Sequence, residues 1–310
     1  LSETGQQLDY DKLSTLSEGQ SASIANVSYT FAADALPSDW DEPLWIENPD
    51  RTLNPAKYLL LDDIKEAADD LSANGTASAY YSLYKGLLDK QVTSNGAPGA
   101  GPYFQLKVDG VYLPLQLIGI CQDTRSDNGK PAGLTFQMKD VYAYDTNGSN
   151  GTFDCRMNPA DTNSGGWGSS SLRSILRTAF WGYLPADVQS AIVGVNKYQQ
   201  LPGGADASKL QKTTGETIWL PSTYEVFGTS FANYNDSESL AANGNAPFQY
   251  MAYQGNDDDP TANPMSVKDS HWWLRSAYQR GSDAFCNVYT LGRGSLNAGY
   301  SGGVAPAFCL

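Results

Sequence analysis

Charge is scarce in this 310-residue chain: Asp, Glu, Lys and Arg make up 17% of it, where roughly a quarter is usual. Its surface is therefore built largely from uncharged polar side chains. What charge there is leans one way, 34 acids against 20 bases for a net of -14. A phosphate backbone or an anionic lipid surface is repelled over most of such a molecule, which argues against nucleic acid as a partner. Long apolar runs are missing too. The best, around Leu59 to Leu61 and Leu113 to Ile120, are broken by polar residues within a few positions, against the ~20 apolar residues of a membrane span, so no direct membrane insertion is expected.

Histidine is almost absent. The single one, His271, precedes Trp272 and Trp273. A Ser-His-Asp or Cys-His centre would have to use it, and a histidine zinc site would need three or more further ligands, so a packed or surface histidine is the simpler reading. The four cysteines, Cys121, Cys155, Cys286 and Cys309, are widely spaced and form no C-x-x-C pair. That removes zinc ribbons and thioredoxin-like motifs, and leaves either two disulfides in one of three pairings or buried free thiols. The glycines of Gly96 to Gly101 fit neither phosphate-cradling pattern. Asn256 to Asp259 could offer oxygens to calcium, yet lacks the glycine and terminal glutamate of an EF-hand and reads as a solvated loop. No cofactor, no metal and no catalytic residue is expected, and the chain is not read as an enzyme.

What is present is a globular composition, roughly 45% apolar once glycine is counted and tyrosine is not. Ile64, Ala67, Ala68 and Leu71 recur at the spacing of one helical face over Asp62 to Leu71, and Tyr80, Leu83, Tyr84, Leu87 and Leu88 do so over Ala77 to Leu88. A strand is expected over Ser23 to Phe31. The Gly/Pro-rich Ser94 to Pro102 reads as a boundary. It separates an N-terminal accessory region, 1–95, from a domain spanning 96–310.

Strands follow it at Phe104 to Val108, Val111 to Cys121 and Leu134 to Tyr144, with Asp109-Gly110 as a hairpin turn. Helix is expected over Gly165 to Arg177 and again after Pro185, a strand over Thr217 to Pro221, a helical turn over Ser222 to Phe227, and a long loop over Asn233 to Pro264. The end, His271 to Leu310, returns to strand and turn. Its 303–310 stretch should lie inside the structure, because Val304, Ala305, Ala307 and Phe308 are too apolar to fray.

Between Ala277 and Gly303 lie six glycines, three tyrosines, three serines and two asparagines, with no lysine and no glutamate. That is the composition of a binding loop: tyrosine gives large amphipathic contact at low entropic cost, and Ser, Gly and Asn give adaptable hydrogen bonds.

The residues around this stretch are Trp272-Trp273-Leu274-Arg275-Ser276 before it and Gly303-Val304-Ala305-Pro306-Ala307-Phe308 after it, with Phe285-Cys286-Asn287-Val288 inside. Upstream stand Gly165-Gly166-Trp167, Ser170-Ser171-Leu172-Arg173, and Ile218-Trp219-Leu220-Pro221-Ser222 with Glu225. In this ordered set, from about residue 103 to 310, the chain resembles the variable proteins of diversity-generating retroelements, the major tropism determinant class. In that family reverse transcription mutates adenines in the segment encoding the protein's end.

The resemblance implies an α+β, C-type lectin-like fold with small twisted antiparallel sheets and two helices, and leaves the N-terminal accessory region unmatched. It implies that Trp272, Trp273, Arg275, Val304, Pro306 and Phe308 are scaffold. Tyr278, Arg280, Asp283, Tyr289, Leu291, Arg293, Ser295, Leu296, Asn297 and Tyr300 would be the diversified, ligand-binding positions. From the composition and the bracketing motifs, Tyr278, Arg280, Tyr289, Leu291, Arg293, Leu296, Asn297 and Tyr300 are expected to be exposed and to converge on one face. Phe285, Val288 and Ala298 would then point inward, with Gly281, Gly292, Gly294 and Gly299 making the reversals. Gln279 fits the pattern poorly. The implied partner is a protein or surface glycan, at a bacterial cell surface or on a phage particle. The same fold houses the formylglycine-generating oxidoreductases, for which Cys286 and Cys309 would be the candidate pair, although their spacing and neighbours do not match that family's motif. A static surface binding module is the other alternative.

Overall fold

A computed structural model describes residues 21–24, 27–30, 36, 40–92, 99, 101–142, 153–203, 207–228, 248–254, 271–289 and 292–310. The chain divides into a unit of residues Leu1–Asp41 and a compact unit of Glu42–Leu310. In the first, the expected single strand is an antiparallel hairpin of β1 (Ser21–Ile24) and β2 (Val27–Thr30); Phe31 lies outside the described residues.

The second unit is α+β with small antiparallel sheets. Its largest sheet has six strands in the order β14-β8-β6-β5-β3-β4. These are β3 (Leu44–Glu47), β4 (Tyr58–Leu60), β5 (Phe104–Val108), β6 (Val111–Ile120), β8 (Leu134–Met138) and β14 (Ala307–Cys309). Asp109 and Gly110 carry φ of 48° and 79°, the left-handed backbone a two-residue hairpin turn demands, and join β5 to β6 in register.

Helices α1 (Leu61–Asn74) and α2 (Tyr81–Gln91) bury the faces that their periodicity marks: Ile64, Ala67, Ala68 and Leu71 on the first, and Leu83, Tyr84, Leu87 and Leu88 on the second. Both pack on the large sheet. The Gln91 side chain accepts from Leu117 N–H at 2.8 Å beside the β6 bulge and donates to the Pro102 carbonyl at 2.6 Å. At Gly133 a Cβ would stand 2.0 Å from the Ala68 carbonyl oxygen, so only glycine lets α1 approach this closely.

The expected boundary at residue 95 is therefore corrected. β3 and β4 belong to the same sheet as β5, β6, β8 and β14, and α1 and α2, the longest helices described, need that sheet to bury their apolar faces. The break falls between Asp41 and Glu42.

Two three-stranded sheets complete the unit: β10-β9-β7, from β7 (Thr124–Arg125), β9 (Val195–Gln200) and β10 (Leu210–Glu216), and β11-β12-β13, from β11 (Trp272–Ala277), β12 (Ala284–Tyr289) and β13 (Gly292–Asn297). Helix α3 (Ser171–Ile175) is capped by the Ser170 hydroxyl accepting from Arg173 N–H, and it runs on through a π turn over Leu176–Phe180. Short helices α4 (Ala186–Ala191) and α5 (Thr223–Phe227) follow, α5 opening on a reciprocal Ser222/Glu225 capping box. More short helices thus follow residue 96 than the two expected. The stretch Thr217 to Pro221 is not a strand; it contributes one bridge, Trp219 to Ala307.

The C-terminal end is interior, as its apolar residues require. Residues 302–310 are buried, β14 pairs with β8, and the Leu134 and Leu310 backbones exchange hydrogen bonds.

Candidate functional site

The C-terminal segment is built on a buried strand. Every residue of β11 is buried, Trp272, Trp273 and Arg275 completely. The Trp273 indole donates to the Cys155 carbonyl at 2.9 Å. Gly303 N–H donates to the His271 carbonyl and Trp273 N–H to the Gly303 carbonyl, and a Cβ on Gly303 would lie 2.2 Å from that His271 oxygen. His271 is half-buried.

Arg275 spans three elements. Its guanidinium donates to the Tyr198 carbonyl at 2.9 and 2.7 Å, to the Leu220 carbonyl at 2.8 Å, and with two nitrogens to the Glu225 carboxylate. Glu225 also accepts from Lys197 Nζ at 3.1 Å. Lys197 in turn donates to Asp123 and Tyr250, and stands 4.4 Å from the Trp219 ring centroid. Asp123 further accepts from the Tyr250 hydroxyl at 2.9 Å, Thr135 at 2.8 Å and the Cys309 thiol at 3.4 Å.

All of these groups are buried, and two cations face two anions, the condition under which buried charge is tolerated. Burial alone would raise the Glu225 pKa. Arg275 and Lys197 outweigh it and hold that pKa at about 2. Burial first, then the Asp123 carboxylate, pushes the Tyr250 hydroxyl and the Cys309 thiol well above their usual ranges. Neither is primed for nucleophilic chemistry.

Beyond β11 the chain forms a loop, 278–283, and then the β12-β13 hairpin. Asn163 holds that loop from outside the C-terminal segment. Its Nδ2 lies 3.0, 2.8 and 2.7 Å from the carbonyls of Tyr278, Gly281 and Ala284, and its backbone N–H donates to Ser282. Asp161 accepts from Gly299 N–H at 2.9 Å, and Ala298 N–H donates to the Asp283 carbonyl. Gln279 is buried and donates to Gln200 at 2.7 Å.

Of the ten expected ligand-binding positions, Arg280, Ser295 and Tyr300 are exposed, while Tyr278, Asp283, Leu296 and Asn297 are half-buried. Tyr278 and Leu296 lean on the core. Tyr289 and Arg293 pair into β12 and β13, and Leu291 lies outside the described residues. Phe285, Val288 and Ala298 are buried.

By backbone placement the described positions fall at both ends of the hairpin. Ala284 opposes Asn297 at one end of the hairpin and Tyr289 opposes Gly292 at the other, about 17 Å apart at strand rise. Tyr278, Arg280, Asp283, Asn297 and Tyr300 gather at the first end with Asp161 and Asn163, leaving Tyr289 and Arg293 at the far end. Gly294 is a paired residue inside β13 and makes no reversal, whereas Gly292 is the first residue of that strand, paired with Tyr289.

None of the four cysteines is in a disulfide. Cys286 opposes Ser295 in one sheet and Cys309 opposes Thr135 in another, so they form no pair. Asn256 to Asp259 lie outside the described residues, among which no group of three or more His, Cys, Asp or Glu is placed to hold a metal.

The residues that pattern reading missed are the polar ones facing inward. β9 and β10 were not anticipated, since β9 buries Lys197, Gln199 and Gln200, and no apolar alternation marks it. A third buried acid, Glu216, escaped for the same reason; Arg173 meets it at 2.6 Å and the Trp167 indole at 3.4 Å.

No curated protein and no solved structure matches the chain. A family model, "Domain of unknown function (DUF6273)", matches residues 138–310. That match takes in α3 to α5, β9 to β14 and the whole candidate surface, more than half of the sequence, and the chain belongs to the DUF6273 family.

Proposed function

We propose that this protein is a ligand-binding display protein with a C-type lectin-like fold, whose C-terminal segment is a recognition surface diversified by a retroelement. Its ligand is a protein or a surface glycan, met at a bacterial cell surface or on a phage particle. One observation carries the reading: burial separates the two classes of residue that the resemblance distinguishes. Trp272, Trp273, Arg275, Val304, Pro306 and Phe308, the implied scaffold, are all buried, whereas none of the implied display residues with a described side chain is. A scaffold of this kind tolerates change only where side chains bear no packing load. The surface to expect is the end of the hairpin carrying Tyr278, Arg280, Asp283, Asn297 and Tyr300, where tyrosine and arginine are suited to anchor a partner.

The test is at the locus and in its products. DNA sequencing should find a near-copy of the region encoding residues 272–308, differing almost only at adenines, beside a reverse transcriptase gene. A library randomised at 280, 295 and 300 should melt within about 3 °C of the parent, as expected for surface positions. A missing near-copy, with a library that mostly fails to fold, would overturn the proposal.

A further inference from the structure

Lys197 and Asp123 meet across a strand pair. β7 runs antiparallel to β9 with Arg125 opposite Val195 and Thr124 opposite Asn196, so one step further the register sets Asp123 opposite Lys197. Lys197 Nζ donates to Asp123 Oδ1 and to the Tyr250 oxygen, and the lysine and aspartate side chains are each 1% exposed. The rings of Trp219, Tyr250 and Phe248 stand around Nζ with centroids at 4.4, 5.0 and 6.0 Å. An amine and a carboxyl group are thus in contact among aromatic surfaces.

The two oxygens of Asp123 have different surroundings. Oδ1 faces the amine, whereas Oδ2 accepts from the Tyr250 hydroxyl at 2.9 Å, the Thr135 hydroxyl at 2.8 Å and the Cys309 thiol at 3.4 Å. An ion pair alone does not call for that asymmetry. Three donors fixed on one oxygen are the arrangement that stabilises negative charge developing there. A second carboxylate reaches the same nitrogen: Glu225 Oε1 accepts from Nζ at 3.1 Å. Arg275 and the Ser222 N–H, 2.9 Å from Oε2, hold that carboxylate in place.

We propose that Lys197 and Asp123 condense with each other into an isopeptide bond, which covalently joins two points of the chain 74 residues apart. A proton passes from Nζ to Oδ1 along their hydrogen bond. The nitrogen lone pair then forms the N–C bond to Cγ, and the carbonyl pair shifts to Oδ2, where the three donors hold the charge. Glu225 takes a proton from the newly bonded nitrogen and passes it to the Oδ1 hydroxyl. That group departs as water with the electron pair of its C–O bond, while the pair on Oδ2 restores the carbonyl. Nothing is oxidised or reduced, and Glu225 ends as it began. The fold holds the two groups in contact, which replaces an encounter between separate molecules. In water the hydration of the two ions opposes condensation; burial removes that hydration, so one neutral amide relieves a cost that the buried ion pair bears. Arg275 and Glu225 then remain as one cation facing one anion.

The experiment is mass spectrometry of the folded full chain after transfer to denaturant. The chain should be lighter than its sequence by one water molecule, and a tryptic digest should show no cleavage after Lys197 and a branched peptide carrying Asp123 and Lys197 together. Lys197→Arg keeps a cation between the two acids but offers no amine, and should have its full sequence mass. Glu225→Gln still serves the α5 cap; with folding checked by its melting temperature, it should form the bond at least about tenfold more slowly than the parent. Where that variant does not fold, the masses of the parent and of Lys197→Arg decide alone. Full sequence mass in the folded parent after prolonged incubation at neutral pH would overturn the proposal. So would water lost elsewhere, as at Asp109-Gly110, with the two peptides separate, or the same loss of water in Lys197→Arg.

Discussion

Arg275 makes contact at once with β9, the 219–221 segment and α5, and it neutralises a carboxylate that has no access to water. Arg275→Met leaves Glu225 with Lys197 alone and should destabilise the protein by about 3 to 5 kcal/mol, read by urea denaturation, because a half-broken buried pair costs more than the pair contributes. The same pair makes stability depend on acid. The Glu225 pKa falls from an ordinary 4.5 to about 2 on folding, so the native state binds fewer protons than the unfolded chain between those values. The stabilisation is complete above about pH 4.5 and is lost as pH falls toward 2, on the order of 3 kcal/mol. A flat urea midpoint from pH 5 to pH 2.5 would contradict it. Asn163 is a positioning residue of a different kind, holding the 278–283 loop by its carbonyls. Asn163→Ala should cost about 1 to 3 kcal/mol and speed hydrogen exchange in residues 278–284 while leaving β8 and β14 protected. Uniform loosening of all three would show that it holds the whole core and not the loop.

At the scale of elements, close backbone approach sets the joints. β11 meets the returning chain at Gly303, where any side chain would strike the His271 carbonyl at 2.2 Å. Gly303→Ala should therefore lower the melting temperature by several degrees, equivalent to about 1 to 3 kcal/mol, although glycine to alanine on a free surface is neutral or stabilising. An unchanged melting curve would mean that the two segments part without cost. The β12-β13 hairpin illustrates a separate constraint. β12, the middle strand of its three-stranded sheet, is buried over 284–288, so only the ends of the hairpin and the edge strand β13 can present side chains, and a ligand surface there has to be assembled from loops at one end.

At the scale of the molecule, the six-stranded sheet joins β3 and β4 to strands that follow residue 102, and two helices between them complete the core. A fragment of residues 42–310 should consequently fold with the melting temperature of the full chain, whereas one of residues 96–310 should expose the faces of β5 and β6 that α1 and α2 cover, and aggregate. Cooperative folding of the shorter fragment, seen by calorimetry, would restore the boundary that the Gly/Pro-rich stretch suggests.

What the sequence determined by itself is what local physics encodes. The α1 and α2 faces follow from apolar spacing, the β5-β6 turn from Asp109-Gly110, the α5 cap from Ser222 and Glu225, and the interior C-terminus from Val304 to Phe308. Each depends on neighbours within a few residues or on composition alone. The tertiary structure decided the rest. Lys197 becomes an interior residue only because Asp123 and Glu225 arrive from 74 and 28 residues away, so a strand that buries lysine and glutamine carries no apolar signature. The placement of the proposed contact residues was hidden likewise: composition names residues suited to contact, but strand register fixes which of the described ones stand together, and Asn163, more than a hundred residues upstream, holds the loop beside them.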